Sequence, residues 1–180
     1  MSQWKIVSQK PVFKTQLFNI REIVFKNKRG TRKTHHVVER DTTVVVFPLT
    51  DQYEVYLISE YRYLLNRVLL EAVAGFVKRG EMPLATAKRE LQEETGIDAS
   101  QLEEITRFDM AASIIKARIH IFIAKGLEFG KKHLDEDEEI SLIKIPLSLA
   151  MEKVMLGEIT DSASIIGIFF LDKLRREKKL

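Results

Sequence analysis

The sequence predicts an α/β fold in which a mixed β-sheet is covered by helices. Segments with the composition of strands fill the N-terminal part of the chain, and strands and helices are mixed in the remainder. Two nearly continuous apolar runs, residues 43–49 and 53–62, are typical of strands that are buried on both faces. A chain of 180 residues, of which 45% are hydrophobic and 31% charged, can bury the core of one ordinary domain.

The N-terminal region, residues 1–40, is predicted to consist of antiparallel strands. Apolar and β-branched residues recur between Trp4 and Glu39, and a turn at Asn27–Gly30 divides them. The two apolar strands follow directly, with a short break at Thr50–Gln52 between them. The first part of the chain is therefore expected to be β-structure throughout.

Residues 82–95 carry the clearest helix signal in the chain. Pro83 suits the first turn of a helix, Gly96 suits its C-terminal end, and the residues between them are strong helix formers. The later elements are read in the same way, as strands at 103–110, 118–124 and 140–145, a helix at 147–156 and a longer helix after Asp161. Since no linker interrupts residues 41–180, we expect them to form one domain.

Composition limits the kinds of chemistry that are available. The chain has no cysteine, which excludes disulfides, thiolate metal sites and cysteine nucleophiles. The formal net charge is only +3, so the basic stretches at 26–33 and at the C-terminus are read as solvated, and nucleic-acid binding is not expected. No apolar run is long enough to cross a bilayer or to act as a signal peptide, and a soluble cytoplasmic protein is expected.

Three glutamates share one face of the predicted helix. At 3.6 residues per turn, Glu90, Glu93 and Glu94 fall within an arc of ~100°. Like charges at these spacings repel by roughly 0.2–0.5 kcal/mol per pair. A hard divalent cation with oxygen ligands would remove that repulsion, although a solvated acidic face is an equally good interpretation of the helix alone.

The surroundings of this helix decide between the two interpretations. The segment has a glycine, five residues, a glutamate, seven residues and then Arg-Glu, an aliphatic residue, any residue, Glu-Glu, any residue, a glycine and an aliphatic residue. The fixed positions are Gly75, Glu81, Arg89, Glu90, Leu91, Glu93, Glu94, Gly96 and Ile97. This pattern resembles the signature of the Nudix hydrolases, and a chance match has a frequency on the order of 10⁻⁸ per starting point.

The resemblance implies a Nudix-type α/β/α sandwich and a role for each signature residue. Magnesium, or manganese in its place, would be bound by Glu90 and Glu94, with Glu93 and the carbonyl group of Ala74 as further ligands. Glu93 and Arg89 also count among the expected catalytic residues. The resemblance implies that Arg89 and Glu81 orient the helix and its ligands.

Outside the signature, the chain resembles the ADP-ribose and nucleoside diphosphate sugar branch of the family. That branch has Gln-Tyr-Arg before the signature, where this chain has Glu60-Tyr61-Arg62, and an approach to the signature that here runs from Glu71 to Gly75. The resemblance therefore implies substrate contacts from Arg62, Glu71 and Gly75. Arginine suits phosphate because of its forked donors.

An acidic stretch at 133–146 resembles the loop that supplies the general base in this branch. The alignment assigns Glu136 as the base and Glu138 as a further metal ligand, with the register open among residues 135–139. The chain departs from the branch at Ala112 and Ser113, where enzymes selective for ADP-ribose have Pro-Gly. The expected substrate is thus ADP-ribose or another nucleoside diphosphate sugar.

Two functions of other kinds remain open at this level. The first is a Nudix-fold ligand sensor without catalysis, which would not need every glutamate of the signature. The second is a hydrolase of RNA caps or 5′ ends, which would favour a continuous basic groove. In the branch that the chain resembles, the N-terminal region forms part of a homodimer and of its substrate site, so a homodimer is expected.

Overall fold

The structure is a computed structural model that describes residues 3–132 and 139–180. The described part of the chain forms an α/β fold with ten strands and three helices. These are β1 (Trp4–Lys14), β2 (Asn19–Asn27), β3 (Arg32–Glu39), β4 (Thr43–Pro48), β5 (Glu54–Arg62), β6 (Arg67–Glu71), β7 (Val73–Phe76), α1 (Pro83–Thr95), β8 (Ile97–Ala111), β9 (Ile115–Phe129), β10 (Ile140–Pro146), α2 (Leu147–Met155) and α3 (Ser162–Arg176).

The α/β class and the three helices agree with the sequence prediction, but four strands differ from it. The strands β6 and β7 were not predicted, because each is short and lacks a hydrophobic period of its own. The strands β8 and β9 are longer than predicted, since each extends well beyond its apolar centre into a long hairpin. Cross-strand pairing stabilises these polar extensions, and a local pattern does not record such pairing.

The chain divides into two compact units. The first unit contains residues 1–42 with 108–119, and the second contains 43–107 with 120–180. In the first unit, β1, β2 and β3 form an antiparallel meander, and the end of β3 pairs in parallel with the start of β9. Every residue of β1 is exposed in this chain, including its apolar residues.

In the second unit, β4 is buried on both faces, as its apolar run predicted. Val44 and Val46 belong to a core cluster that includes Leu91 of α1. On the other side, the ring of Phe47 lies so close to Gly167 of α3 that a Cβ atom there would overlap it. A larger residue at Gly167 would therefore separate α3 from β4. The strand β5 is buried only in part.

A second sheet in this unit has the strand order β10–β5–β6. Its register pairs Glu71 of β6 with Ile58 of β5, and Glu60 of β5 with Ile140 of β10. This register sets the positions of the two carboxylates. The helix α1 follows β7 after a short loop and packs on β7 and β4. The glutamate helix is thus anchored to the core through its apolar side. Among the described residues, no helix has the length and apolar character needed to cross a membrane.

The last helix begins with a side-chain cap and ends with a buried carboxylate that forms two ion pairs. Asp161 accepts a hydrogen bond from the backbone N–H of Ser164 at 2.7 Å, as expected of an N-cap. Near the other end, the buried Asp172 lies 2.9 Å from Arg175 Nη2 and 2.7 Å from Arg176 Nε. Burial opposes ionisation of Asp172, but the hydrogen bonds and charges of the two arginines prevail and lower its pKa.

We expect Asp172→Asn to reduce the free energy of unfolding by about 1–2 kcal/mol at neutral pH, because both partners are partly exposed. A carboxyl whose pKa is lowered by folding stabilises the protein above its unfolded pKa and ceases to do so as the pH falls through the folded value. The difference between the two proteins should therefore shrink below about pH 4. Urea unfolding at neutral and acidic pH measures it.

The matched control is Glu152→Gln on α2, which also removes one carboxylate, but from an exposed position. It should leave the urea midpoint nearly unchanged. Equal stability of Asp172→Asn and the unchanged protein at neutral pH would contradict this account of α3.

Candidate active site

Arg89 connects the loop before α1 with the glutamates of the helix itself. Its Nε donates to Glu81 Oε1 at 3.1 Å, and its Nη2 donates to Glu81 Oε2 at 3.2 Å. Its Nη1 lies 2.8 Å from Glu90 Oε1 and 2.8 Å from Glu93 Oε2. The orienting role that the resemblance implied for Arg89 and Glu81 is consistent with these contacts.

The loop carboxylate is strongly acidic in this arrangement. The hydrogen bonds from Arg89 are the main reason that the pKa of Glu81 falls to about 2, and a backbone hydrogen bond from Lys78 acts in the same direction. The pKa of Arg89 is raised, chiefly by the same contact with Glu81. Both groups are therefore charged at any physiological pH, and their contact closes the loop onto the helix.

Gly75 makes room for the first glutamate of the helix. A Cβ atom at Gly75 would overlap the carboxyl group of Glu90, so no larger residue fits unless that side chain moves. The Glu90 side chain is largely buried, and this burial raises its pKa against the opposing charge of Arg89. A nearby cation stabilises the charged form of a carboxyl group whose pKa is raised by burial. The glycine of the signature thus has a steric reason in this chain.

Glu94 lies on the more deeply buried side of the helix, with only 7% of its surface exposed. Its charge is among those that raise the pKa of Arg62 at the end of β5, although burial of that arginine acts first and in the opposite direction. Glu94 and Arg62 are therefore within electrostatic reach of each other. The structure places the predicted metal ligand and the predicted substrate contact in the same region of the second unit.

Two carboxylates occupy the fork of Arg62. Its Nε donates to Glu71 Oε1 at 2.6 Å, and its Nη1 donates to Glu60 Oε1 at 2.8 Å. Glu71 is buried, which raises its pKa, while Arg62 acts to lower it. Glu60 entered the sequence analysis only as part of a tripeptide, and its contact with Arg62 was not predicted. Residues two apart share a face only once the strand is formed.

The remaining predicted residues divide into those the structure describes and those it does not. Ala74 lies on β7, paired with Val45 of β4, directly before Gly75. Glu136 and Glu138, the predicted base and further ligand, lie outside the described residues. Ala112 and Ser113 lie in the turn between β8 and β9.

The donor set suits a hard cation, although the side chains do not converge on one here. The available donors are the carboxylates of Glu90, Glu93 and Glu94 and the backbone carbonyl group of Ala74, which are the oxygen ligands that magnesium prefers. Within residues 3–132 and 139–180, no group of three or more side chains is arranged as a metal cluster. The single positive charge of Arg89 is shared between Glu90 and Glu93 in this arrangement and offsets only part of their negative charge. The residues therefore fit the ion by the chemistry of their oxygen donors.

Three relatives resemble the chain over nearly its whole length. The methanol dehydrogenase activator of Bacillus methanolicus is 30% identical over 176 residues, covering 93% of this chain and 94% of the relative. The ADP-ribose pyrophosphatase of Bacillus subtilis is 29% identical with the same coverage. The GDP-mannose pyrophosphatase of Salmonella typhimurium is 26% identical over 186 residues, covering 95% of this chain and 96% of the relative.

A solved structure and a family model complete the comparison. The crystal structure of an ADP compounds hydrolase superposes with a TM-score of 0.85 at 22% identity, covering 99% of this chain and 97% of the other, so the two share a fold. The model of the NUDIX domain matches residues 39–159, a range that contains the loop, the glutamate helix and Arg62. The chain belongs to the NUDIX domain family.

Proposed function

We propose that the protein hydrolyses the pyrophosphate of a nucleoside diphosphate sugar, ADP-ribose or a related compound, with the help of magnesium or manganese. The observation that carries this proposal is the group of three carboxylates on α1, of which Glu90 and Glu93 contact Arg89 and Glu90 lies in the space beside Gly75. Relatives named as ADP-ribose and GDP-mannose pyrophosphatases support the substrate class.

In the proposed reaction, the oxygen of a water molecule attacks one phosphorus atom and the bridging P–O bond breaks. The products are a nucleoside monophosphate and a sugar phosphate. A bound magnesium ion would neutralise phosphate oxygens and lower the pKa of the attacking water. The residues of the chain bind and orient: Glu90, Glu93 and Glu94 supply oxygen ligands with the Ala74 carbonyl group, and Arg89 positions the helix.

The base and one further ligand remain proposals from the resemblance alone. We assign Glu136 as the general base that accepts the proton of the water and Glu138 as an additional ligand. On the substrate side, we propose that Glu71 and Gly75 contact the substrate. We propose that Arg62, whose fork contacts two carboxylates in this structure, binds the phosphates or a ribose of the substrate.

The first test incubates the purified protein and magnesium with ADP-ribose, ADP-glucose, GDP-mannose, UDP-glucose and capped RNA, and measures the phosphomonoesters that are released. We expect cleavage of at least one diphosphate sugar, and Glu94→Gln should reduce kcat by at least about 100-fold because a charge that stabilises the transition state is lost. The matched control, Glu103→Gln, removes an exposed carboxylate on β8 and should retain activity. A folded protein that binds magnesium and cleaves no member of the panel would instead favour a ligand sensor.

The second test removes the space beside Glu90. Gly75→Ala should displace the Glu90 carboxyl group and weaken magnesium binding by about 10–100-fold, by analogy with the loss of groups that orient metal ligands. The Tm should change little, because the flexible end of a side chain can move aside. Calorimetric titration with magnesium and a thermal melt measure the two effects.

Gly130→Ala serves as the control, since its Cβ atom would make only an ordinary contact with the Gly96 carbonyl oxygen. Unchanged magnesium affinity in Gly75→Ala would count against Glu90 as a ligand.

We further propose that the chain forms a homodimer through its N-terminal region. The support is the exposure of β1, whose residues Val12 and Phe13 are 51% and 55% exposed, with Leu17 beyond them at 62%. Contiguous exposed apolar residues of this kind mark interaction surfaces. Sedimentation of the pure protein should give twice the mass of one chain, and Phe13→Asp should give a single chain. A single-chain mass for the unchanged protein would refute the dimer.

A further inference from the structure

Three basic residues stand in a row across the N-terminal meander. The register pairs Lys5 of β1 directly with Lys26 of β2, and Lys26 directly with Arg32 of β3. Residues that are directly opposite in an antiparallel pair have Cα atoms roughly 4.5–5.5 Å apart and point to the same face. The row is therefore a line of three cations on one face of one sheet.

No carboxylate compensates this row within residues 3–132 and 139–180. The ion pairs of the meander that involve Glu22 lie farther along the sheet, where that residue contacts Lys10 and His36. Lys5, Lys26 and Arg32 are all exposed and form no ion pair with another described residue. Like charges directly opposite each other destabilise a sheet. The row thus opposes the stability of the meander that carries it.

The turn between β2 and β3 adds further positive charge at the same end of the meander. Lys28 and Arg29 lie in this turn, and both are exposed. A shallow groove of about 200 Å³ is lined by Gln3, Lys5, Val7, Lys26, Asn27 and Lys28, so three lysines face one recess. The row and the turn form one surface, which we call the cationic surface: Lys5, Lys26, Lys28, Arg29 and Arg32.

Protection of a sheet edge does not account for this surface. Lysines on edge strands prevent strands from pairing with other chains, and Lys5 on β1 fits that role. Lys26, however, lies on β2, which is paired on both sides by β1 and β3. A lysine on a central strand has no edge to protect, so another explanation is needed for the centre of the row.

The opposite face of the meander differs in chemistry. Trp4 and Ile6 pair there with Asn27 and Phe25, and Lys33 lies 5.2 Å from the centroid of the Trp4 ring. The aromatic side chains at this end are thus on the other face from the row, and the tryptophan is already covered by a cation. A membrane surface would require large apolar anchors beside the cations, whereas a polyanion with closely spaced charges requires only the cations.

Composition alone did not lead us to expect nucleic-acid binding, but the register of the three strands gathers these basic residues on one face. We propose that the cationic surface binds single-stranded nucleic acid, with successive phosphates lying along Lys5, Lys26 and Arg32. The phosphate backbone carries one negative charge per nucleotide, and basic side chains that contact it release counterions. The same anion would remove the repulsion within the row. This surface lies in the first unit and is independent of the glutamate helix.

The test uses a labelled single-stranded RNA of about 16 nucleotides and the full chain, with binding followed by fluorescence anisotropy at several salt concentrations. We expect binding that weakens with salt. The triple variant Lys5→Gln, Lys26→Gln, Arg32→Gln should make the slope of log K against log salt ~2 shallower, and weaken binding about 100-fold at about 0.1 M salt, if three phosphate contacts are lost.

A matched control and a stability measurement complete the design. Lys173→Gln, Lys178→Gln, Lys179→Gln removes the same charge from the C-terminal end of the chain and should keep the slope of the unchanged protein. The triple variant in the row should also have a Tm equal to or higher than that of the unchanged protein, because like-charge repulsion is relieved. If Lys5, Lys26 and Arg32 instead stabilised the fold, the triple variant would have a lower Tm.

Four results would overturn the proposal. The first is the absence of RNA binding by the unchanged protein at low salt, and the second is equal loss of binding in both triple variants. The third is a change of sedimentation mass in the row variant without RNA, because the surface would then join copies of the chain. Binding only to vesicles of anionic lipid, tested in parallel, would likewise replace nucleic acid by a membrane.

Discussion

The contact between Arg89 and its carboxylates is the interaction on which the candidate site depends. Three glutamates on one helix face repel one another, and the short loop before the helix has no core of its own. The guanidinium of Arg89 reduces this repulsion and anchors the loop, because its forked donors contact Glu81 in the loop and two glutamates on the helix at the same time. These contacts hold the loop against the helix and fix the orientation of the Glu81, Glu90 and Glu93 side chains.

A second arginine acts from the sheet. Arg62 at the end of β5 contacts Glu60 and Glu71, and the charge of Glu94 on the helix acts to raise its pKa. Burial raises the pKa of Glu71 and Glu90, and in each case an arginine opposes that rise. Among the described residues, the carboxylates of the site therefore outnumber its two arginines. Such an excess is a physical reason to expect a divalent ion there.

The two units differ in whether their clusters of like charge have partners of opposite charge. In the second unit, each glutamate of the signature has a partner, and the geometry of the site follows from those pairs. In the first unit, a row of cations is arranged across three strands with no described carboxylate beside it. A charge pattern that costs stability and recurs in register across a sheet points to an external partner, whereas the signature glutamates are held in place within the fold by their contacts with arginine.

The sequence by itself determined the α/β class and the extent of α1, and it identified the segment that contains Arg89 and its carboxylates. Those features are local: the helix has its own start and end signals, and the signature lies within a single stretch of chain that folds back once. The buried strand β4 was equally readable, since an apolar run reports burial on both faces. Only the tertiary structure decided which distant side chains meet. Strands β6 and β7 exist because β5 and β4 pair with them, and the contact of Arg62 with Glu71 follows from that pairing rather than from any local pattern. The row of Lys5, Lys26 and Arg32 likewise arises from the register of three strands, although the sequence shows only scattered basic residues. The physical reason is the same in each case: strand register is set by hydrogen bonding and burial between segments, and a linear sequence does not record which residues are brought opposite one another.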